Sequence, residues 1–362
     1  GIDLDPRLGK VDGILQQGPT IDHAAGKAVL SAIKVLSDMD IAERRRPQDG
    51  TFSVACGTER FEVRVNSIPG KFGEKLAIRL LDPGGRVLRD GLGGLGFTAS
   101  TLTKLRELVH RPHGMVIVCG PTGSGKTTTS CAAISEMDGQ SLNIVTIEDP
   151  IEYQLADVSQ TAVNNAAGLT FSSILRSVLR QDPDVILVGE IRDRETAEIA
   201  MQAALTGHLV ITTLHANDAP TTIARLIEIG IDATLIQSAV TAVVAQRLMR
   251  KLCKACRIAS APTADELRRH SMLAGKVQEL YRAGPRGCAE CGGRGYRGRT
   301  GVYELMVVDA DLKQAIVGQQ SEALIRSAAQ RQGMKTLYHE ALRKVVAGVT
   351  SLDEVDRVVV GT

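Results

Sequence analysis

The sequence predicts an α/β protein whose larger part contains a mainly parallel β-sheet with helices on both faces. Between about residues 100 and 245, short apolar runs alternate with segments of helical periodicity, as in sheets that are buried on both sides. A glycine-rich turn at 120–129, GPTGSGKTTT, joins one of these runs to a segment compatible with a helix. The first 82 residues instead alternate like half-buried strands, which predicts a second, smaller α/β domain.

Composition limits the classes of function. The chain has 362 residues, of which 43% are hydrophobic and 23% charged, enough for two or three domains with a sizeable core. The net charge of +2 gives no general attraction to nucleic acid or to an anionic membrane, and aromatic residues make up only 3%. No apolar run reaches the roughly 18 residues that a membrane span needs. We therefore expect no nucleic-acid partner and no direct membrane span.

The smaller domain is predicted to contain one helix, in AGKAVLSAIKVL, and strands in TFSVAC, RFEVRVNSI and KLAIRLL. A glycine-rich stretch that includes GLGGLG follows it and is interpreted as a linker. The predicted boundaries are an N-terminal domain at 1–82, the linker at 83–99, a core at 100–246, a cysteine element at 247–300 and a helical C-terminal subdomain at 301–362.

The turn at 120–129 matches the phosphate-binding pattern G-x-x-x-x-G-K-[ST] through Gly120, Gly125, Lys126 and Thr127. Glycines allow backbone N–H groups to surround phosphate oxygens, and the following helix N-terminus favours an anion. Lys126 is expected to reach the β- and γ-phosphates, and the Thr127 hydroxyl to ligate Mg²⁺. The predicted nucleotide-binding residues are Gly120, Pro121, Thr122, Gly123, Ser124, Gly125, Lys126, Thr127 and Thr128.

Two further strands end in acids, as hydrolysis near a metal-bound phosphate requires. VILVGE places Glu190 after an apolar run, with Gly189 where an aspartate usually stands, and TIEDPIEY supplies Glu148, Asp149 and Glu152. Parallel strands deliver their C-terminal ends to one edge of a sheet, so these acids are expected to converge near the turn. The alternative is that they only cap the turns that follow.

Glu148 is the candidate for activating water, and Glu190 for positioning water or Mg²⁺, but the sequence leaves open which is the base. A third strand, HLVITTLH, lies between His208 and His215. A neutral imidazole at a strand end can sense phosphate or orient water, although a lone histidine is more often structural. His215 is therefore a candidate catalytic residue.

The seven cysteines fall into two groups. Cys56, Cys119 and Cys131 are isolated among apolar or small neighbours and are expected to be buried. CKAC and CAEC place the other four in two C-x-x-C pairs, the arrangement of a closed, structural zinc site with four thiolates. The ligands would be Cys253, Cys256, Cys288 and Cys291, with a helical hairpin expected between the pairs.

Taken together, these motifs resemble the secretion ATPase superfamily of type II secretion and type IV pilus assembly. GPTGSGKTTT, TIEDPIEY, LRSVLRQDPDVILVGEIRD and ALTGHLVITTLHAND stand in the family's order, and the similarity covers nearly the whole chain from about residue 25. The resemblance implies a RecA-type ATPase core preceded by a PAS-like domain, assembled as a homo-hexamer with ATP and Mg²⁺ between the two domains. It also implies hydrolysis of ATP to drive pseudopilus assembly or pilus extension.

The resemblance adds residue roles and partners. Arg64 and Arg79 match two family arginines that reach the nucleotide from the N-terminal domain, and Arg176 and Arg180 match positions at the ring interface. In the family the cysteine element accompanies secretion and extension motors. The implied location is cytoplasmic, peripheral at the inner membrane, with platform or docking proteins of a secretion or pilus machine as partners.

One departure and two alternatives remain. GIDLDPRLGK stands before the turn Val11-Asp12-Gly13, so the family's opening strands are expected to be missing or altered. A nucleic-acid translocase ring and a nucleotide-gated scaffold with little turnover are the alternative functions.

Overall fold

The computed structural model describes residues 7–17, 21–57, 59–71, 73–81, 88–318 and 321–359. The chain divides into two compact units, Gly1–Arg86 with Glu152–Gln154, and Val87–Ile151 with Leu155–Thr362. Within the described ranges, no helix has the length and apolar character needed to cross a membrane.

The first unit combines a hairpin, a helix and a three-stranded antiparallel sheet. Its strands and helix are β1 (Arg7–Val11), β2 (Ile14–Gln17), α1 (His23–Leu36), β3 (Gln48–Cys56), β4 (Glu59–Gly70) and β5 (Gly73–Leu81). A strand therefore does precede the Asp12-Gly13 turn. In the sheet, ordered β3-β4-β5, Val63 and Val65 form a small core with Met39, against which Ile33 of α1 packs.

The expectation that Cys56 is buried is wrong. Cys56 is the last residue of β3 and is exposed, whereas Cys119 and Cys131 are buried as predicted. Cys56 lies at the end of the β3–β4 hairpin, opposite Glu59. Apolar neighbours in sequence do not bury a residue at the end of a hairpin, because the small core of this unit does not extend that far.

The second unit is built on a seven-stranded sheet ordered β14-β11-β6-β10-β9-β7-β8. The strands are β6 (Gly114–Cys119), β7 (Ile144–Glu148), β8 (Ser159–Ala162), β9 (Val185–Val188), β10 (Leu209–Leu214), β11 (Val240–Leu252) and β14 (Tyr296–Val307). All neighbouring pairs are parallel except β11 with β14. The mainly parallel sheet is confirmed.

Helices connect these strands; α4 to α7 bury their apolar faces in one continuous core, whereas the buried residues of α2 and α3 lie outside that cluster. They are α2 (Ala99–Val109), α3 (Lys126–Ser135), α4 (Phe171–Val178), α5 (Arg194–Leu205), α6 (Ala219–Glu228) and α7 (Ala233–Ala239). Asp193, Asp218 and Asp232 begin α5, α6 and α7 by accepting hydrogen bonds from backbone N–H groups of the first turn, which are otherwise unpaired there.

The helical hairpin expected between the cysteine pairs is absent. Residues 257–287 instead contain α8 (Ala264–Arg269) and two antiparallel strands, β12 (Ile258–Ser260) and β13 (Leu280–Arg282). Thr263 and Glu266 form a capping box that begins α8. The helix ends at His270, whose side chain is buried against Tyr338. This contact turns the chain towards the core, and the helix does not extend into a hairpin.

Four helices complete the C-terminal region: α9 (Ala310–Val317), α10 (Glu322–Arg331), α11 (Leu337–Val346) and α12 (Leu352–Val358). Ser351 caps α12 through its hydroxyl. The Glu354 side chain does not return to this cap but pairs with Arg250 and Arg357. That contact ties α12 to β11.

Part of the predicted linker is packed. Residues 83–87 lie outside the described ranges, but Gly91–Leu95 forms a 3₁₀ turn in which Leu92 is fully buried. The Leu92 N–H donates to Glu136 just after α3 at 2.8 Å, and Lys344 donates to the Gly96 carbonyl at 2.6 Å. The segment 91–96 is therefore anchored to the core and is not a free tether.

Candidate nucleotide site and cysteine cluster

The carboxyl ends of β6, β10, β9 and β7 lie side by side at one edge of the second unit's sheet. Gly120, His215, Gly189 and Asp149 follow these four strands directly. Every residue within the four strands is buried, so their positions are set by the core. The sequence-predicted loop and acids are therefore brought to one edge.

The loop 120–125 turns sharply into α3. Gly125 occupies the N-cap with a φ of 91°, and no side chain caps the helix, so its first N–H groups can face an anion. A Cβ on Gly125 would lie 3.1 Å from Nε2 of Gln246. Gln246 is buried on β11 and donates to the Ser124 carbonyl at 2.7 Å. The neighbouring strand β11 therefore holds the loop in place through this hydrogen bond.

Lys126 folds back over the loop, donating to the Gly120 carbonyl at 2.9 Å and the Pro121 carbonyl at 3.3 Å. Partial burial lowers the pKa of Lys126, and the Glu190 carboxylate opposes this effect. A lysine that donates to neutral carbonyls can exchange them for phosphate oxygens, which are stronger acceptors. Thr127 and Thr128 follow in the first turn of α3 and are partly exposed.

Glu148 is the last residue of β7 and is only 3% exposed. Its Oε1 accepts from the Thr146 hydroxyl at 2.6 Å and from Nε2 of Gln160 at 2.9 Å. Its Oε2 is buried and has no hydrogen-bond partner in the described part of the chain. One oxygen is therefore held by the protein, while the other is buried without a partner, an arrangement that costs free energy until a water or another donor completes it.

Glu190 lies in a cluster of charges just beyond β9. Arg192 pairs with Glu190 and reaches Asp149 at 3.5 Å, and Nε2 of His215 is 3.6 Å from the Glu190 carboxylate. A Cβ on Gly189 would lie 2.9 Å from the Ile147 carbonyl. Glycine at this position therefore allows the ends of β9 and β7 to approach closely. Glu190 and Asp149 are brought together as expected, and His215 lies beside Glu190.

The remaining predicted residues are placed as follows. His208 lies at the opposite end of β10, where Nδ1 is 2.9 Å from the Ala203 carbonyl, so its role is structural. Arg64 and Arg79 are direct cross-strand partners on β4 and β5 of the first unit. Arg176 and Arg180 are exposed on and just after α4, and Arg176 pairs with Glu195 at 2.8 Å.

The four clustered cysteines could hold a metal ion. Their Sγ atoms all lie within 4.8 Å of one another. The separations between Sγ atoms are 3.6 Å for Cys253 with Cys288, 3.9 Å for Cys256 with Cys291, and 3.8 Å for Cys288 with Cys291. A tetrahedral zinc ion with bonds of about 2.3 Å places its sulfurs about 3.8 Å apart. The donor set and spacing therefore match a closed four-thiolate site.

Backbone groups favour the thiolate form of Cys291. Burial opposes its ionisation, but hydrogen bonds from the N–H groups of Cys288 and Gly295, each 3.2 Å from Sγ, and from the thiols of Cys288 and Cys256 lower the pKa of Cys291 to about 6. Burial and the neighbouring thiols instead raise the pKa of Cys256 to about 12. A thiolate is the form that binds metal. Sequence spacing identified these four residues correctly as a cluster.

Sequence reasoning missed four residues at the sheet edge, namely Thr146, Gln160, Arg192 and Gln246. Thr146 and Glu148 share a strand face because they are two residues apart, and that signal was present in the sequence. Gln160 and Gln246 lie on other strands, and only the sheet order brings them to the acid and the loop.

A buried strand, a glycine-rich turn and a helix at the carboxyl edge of a parallel sheet define a P-loop protein of the α/β class. The chain belongs to the family described as type II/IV secretion system protein, whose model matches residues 9–357.

Two curated relatives illustrate the family. The chain is 46% identical over 349 residues to type II secretion system protein E of Klebsiella pneumoniae, covering 96% of this chain and 69% of that protein. It is 42% identical over 355 residues to the type IV pilus assembly ATPase PilB of Thermus thermophilus, covering 98% of this chain but 39% of that protein. The chain thus corresponds to part of these longer proteins.

Solved structures share the fold. The pilus retraction motor PilT with bound ADP superposes with a TM-score of 0.64 at 26% identity, covering 96% of this chain and 88% of that chain. The ATPase DotB of Legionella pneumophila has a TM-score of 0.64 at 20% identity, covering 95% of this chain and 86% of that one. The second likeness concerns the fold alone.

Proposed function

We propose that this chain is an ATP-hydrolysing motor that powers pseudopilus assembly in type II secretion or extension of a type IV pilus. The observation that carries the proposal is the edge at which the P-loop, the buried Glu148 and the Glu190 cluster meet. Such an arrangement binds a metal-bound triphosphate and supplies carboxylates for water attack. Relatives named as secretion protein E and as a pilus assembly ATPase support it.

In the proposed reaction, Lys126 and the α3 N-terminus bind the β- and γ-phosphates, with Thr127 on Mg²⁺. Thr127 and Glu190 would hold the Mg²⁺, which would supply positive charge to neutralise the charge that develops on the phosphates. Glu148 orients and deprotonates water through its unpartnered oxygen. Glu190, whose negative charge raises the pKa of Lys126, positions water or metal. His215 beside it senses the phosphate.

Arg64 and Arg79 are proposed to stabilise charge on the transferring phosphoryl group. Their cross-strand pairing on β4 and β5 places two guanidinium groups on one sheet face, where Glu62 already pairs with Arg64 at 3.4 Å and a bound phosphate would add a second anion beside the two like charges. The first unit would be the PAS-like domain that presents these arginines to the nucleotide in a homo-hexamer.

The cysteine cluster is proposed to bind a structural zinc ion through Cys253, Cys256, Cys288 and Cys291. Four protein ligands leave no open position for substrate. The ion would hold together a segment whose own strands have only three residues each. The proposed setting of the assembled motor is the cytoplasmic face of an inner membrane, in contact with platform or docking proteins of the secretion or pilus machine.

The test is steady-state ATP hydrolysis measured across protein concentrations, with Lys126→Ala as the inactive control. We expect specific activity to rise with concentration, because neighbouring subunits complete the site, and to vanish in the variant. ATP binding with turnover no faster than that of Lys126→Ala would instead indicate a nucleotide-gated scaffold. Stimulation by DNA that weakens with salt would indicate a nucleic-acid translocase.

A further inference from the structure

The side chains around Glu148 are arranged unevenly. Both hydrogen bonds to this carboxylate, from Thr146 and from Gln160, end on Oε1. Oε2 is buried and receives no hydrogen bond within the described chain. A carboxylate held by two donors on one oxygen has a fixed orientation, and the direction of its second oxygen is fixed with it.

The sheet explains how three distant polar groups meet. Thr146 and Glu148 are two residues apart on β7, so their side chains share one face. Gln160 on β8 is paired in register with Thr146 and therefore lies on the same face. β8 is the edge strand of the sheet, so its neighbour within the sheet is β7, the strand that carries Glu148.

The orientation of the Gln160 amide is also determined. Its Oε1 accepts from the Leu155 N–H at 2.9 Å, which only the carbonyl end of an amide can do. The amino end must then face Glu148, where it donates at 2.9 Å. The glutamine thus connects the backbone that follows the acidic loop to the carboxylate.

We propose that Gln160, together with Thr146, is a positioning residue that aims Oε2 of Glu148 at the attacking water. This inference rests on the proposed ATP hydrolysis and assigns a role that no motif in the sequence indicated. Neither residue touches the nucleotide in this scheme, so they act on the chemical step through Glu148. Their loss should therefore lower kcat and leave nucleotide binding unchanged.

The experiment compares Gln160→Met, which keeps the length but removes both hydrogen-bonding ends, with the wild-type chain under conditions where hydrolysis is measurable. We expect kcat to fall about tenfold to a hundredfold, as for loss of a hydrogen bond to a charged group, with KM for ATP changed by less than about twofold. Gln202→Met, on the exposed face of α5, is the matched control and should keep wild-type kcat.

A double-mutant cycle separates positioning from a general structural role. In a Glu148→Gln background, Gln160→Met should cause no further loss, because its effect passes through the carboxylate. An equal fold-loss in both backgrounds would overturn the proposal. Thr146→Val, which is nearly isosteric, should lower kcat in the same way, and Thr146→Ser should restore it.

The result also distinguishes this inference from the proposed function. If Lys126→Ala abolishes hydrolysis while Gln160→Met and Thr146→Val both keep wild-type kcat, the positioning role is wrong and the ATPase assignment stands. If Lys126→Ala hydrolyses ATP as fast as wild type, the proposed function itself fails.

Discussion

Two sites bring together residues that are far apart in sequence: the sheet edge where the loop 120–125, Glu148 and Glu190 meet, here called the nucleotide edge, and the cysteine cluster. Different forces stabilise the two sites. The strands that end at the nucleotide edge are buried along their whole length. The strands beside the cysteine cluster, β12 and β13, are three residues long and largely exposed or half-buried. The first arrangement is therefore stabilised by apolar burial and should persist without its ligand, whereas we expect the second to depend on the proposed zinc ion.

The largest effect expected from this difference is that of metal removal. Binding at a four-thiolate site is worth roughly 10 kcal/mol or more, so a strong zinc chelator should unfold residues 253–295 locally. Limited proteolysis should then cut within this range, while ATP binding at the P-loop is retained. Cys288→Ser should behave likewise, and Cys56→Ser, at an exposed cysteine, should not. A chain that stays protected in the chelator and contains no metal would contradict the comparison.

At the nucleotide edge, changing one acid should affect chemistry and leave the structure intact. Glu148→Gln and Glu190→Gln should each slow turnover about 10²- to 10⁴-fold, because they remove a carboxylate that acts on water or metal. Isothermal titration should show ATP affinity retained. Glu228→Gln, exposed on α6, is the control and should turn over at the wild-type rate. Wild-type turnover in both acid variants would mean that the edge is not the catalytic site.

A third prediction concerns the ion pair between Arg250 on β11 and Glu354 on α12. Burial opposes ionisation of Glu354, but hydrogen bonds from Arg357 and Arg250 outweigh it and lower its pKa to about 2. Because the pKa is lower in the folded state, the stabilisation is present above the usual value of 4.5 and is lost as the pH falls towards 2. The contribution is about 3 kcal/mol at most.

Urea unfolding at pH 6 and pH 3 measures this contribution. Glu354→Gln should reduce the difference in unfolding free energy between the two pH values, and Asp353→Asn, at the exposed neighbouring position, should leave it unchanged. Glu266, whose pKa is also lowered to about 2 by Arg282, contributes the same sign in every variant. An unchanged pH dependence in Glu354→Gln would show that this pair does not stabilise the fold.

The smallest effect is expected at the loop itself. Gly125→Ala places a Cβ at a φ of 91° and 3.1 Å from Gln246, so it should cost about 1–2 kcal/mol and weaken ATP binding about tenfold. Gly207→Ala, at a φ of 108° with open space around the Cβ, introduces the backbone strain without a close contact to another residue. It should lower the melting temperature but not the ATP affinity. Equal affinity loss in both would exclude crowding against Gln246.

The sequence predicted features that are set by local pattern much better than features that are set by packing between distant segments. The strands at 115–119, 185–188 and 209–214, the P-loop and the two C-x-x-C pairs were all identified, because local periodicity and fixed spacing carry them. The hairpin between the cysteines and the burial of Cys56 were predicted wrongly. The structure of the first segment and the exposure of Cys56 both depend on which other parts of the chain pack against them. The local sequence pattern does not contain that information.

The sequence by itself determined the class of fold, the loop that can bind phosphate, the acids that follow two strands and the four cysteines of one cluster. Only the tertiary structure decided the order of the strands, and with it the meeting of Gln160 with Glu148 and of Gln246 with the loop. The physical reason is that spacing within a strand or turn is set by covalent geometry. Contacts between strands are instead set by how the apolar faces of the whole core pack together.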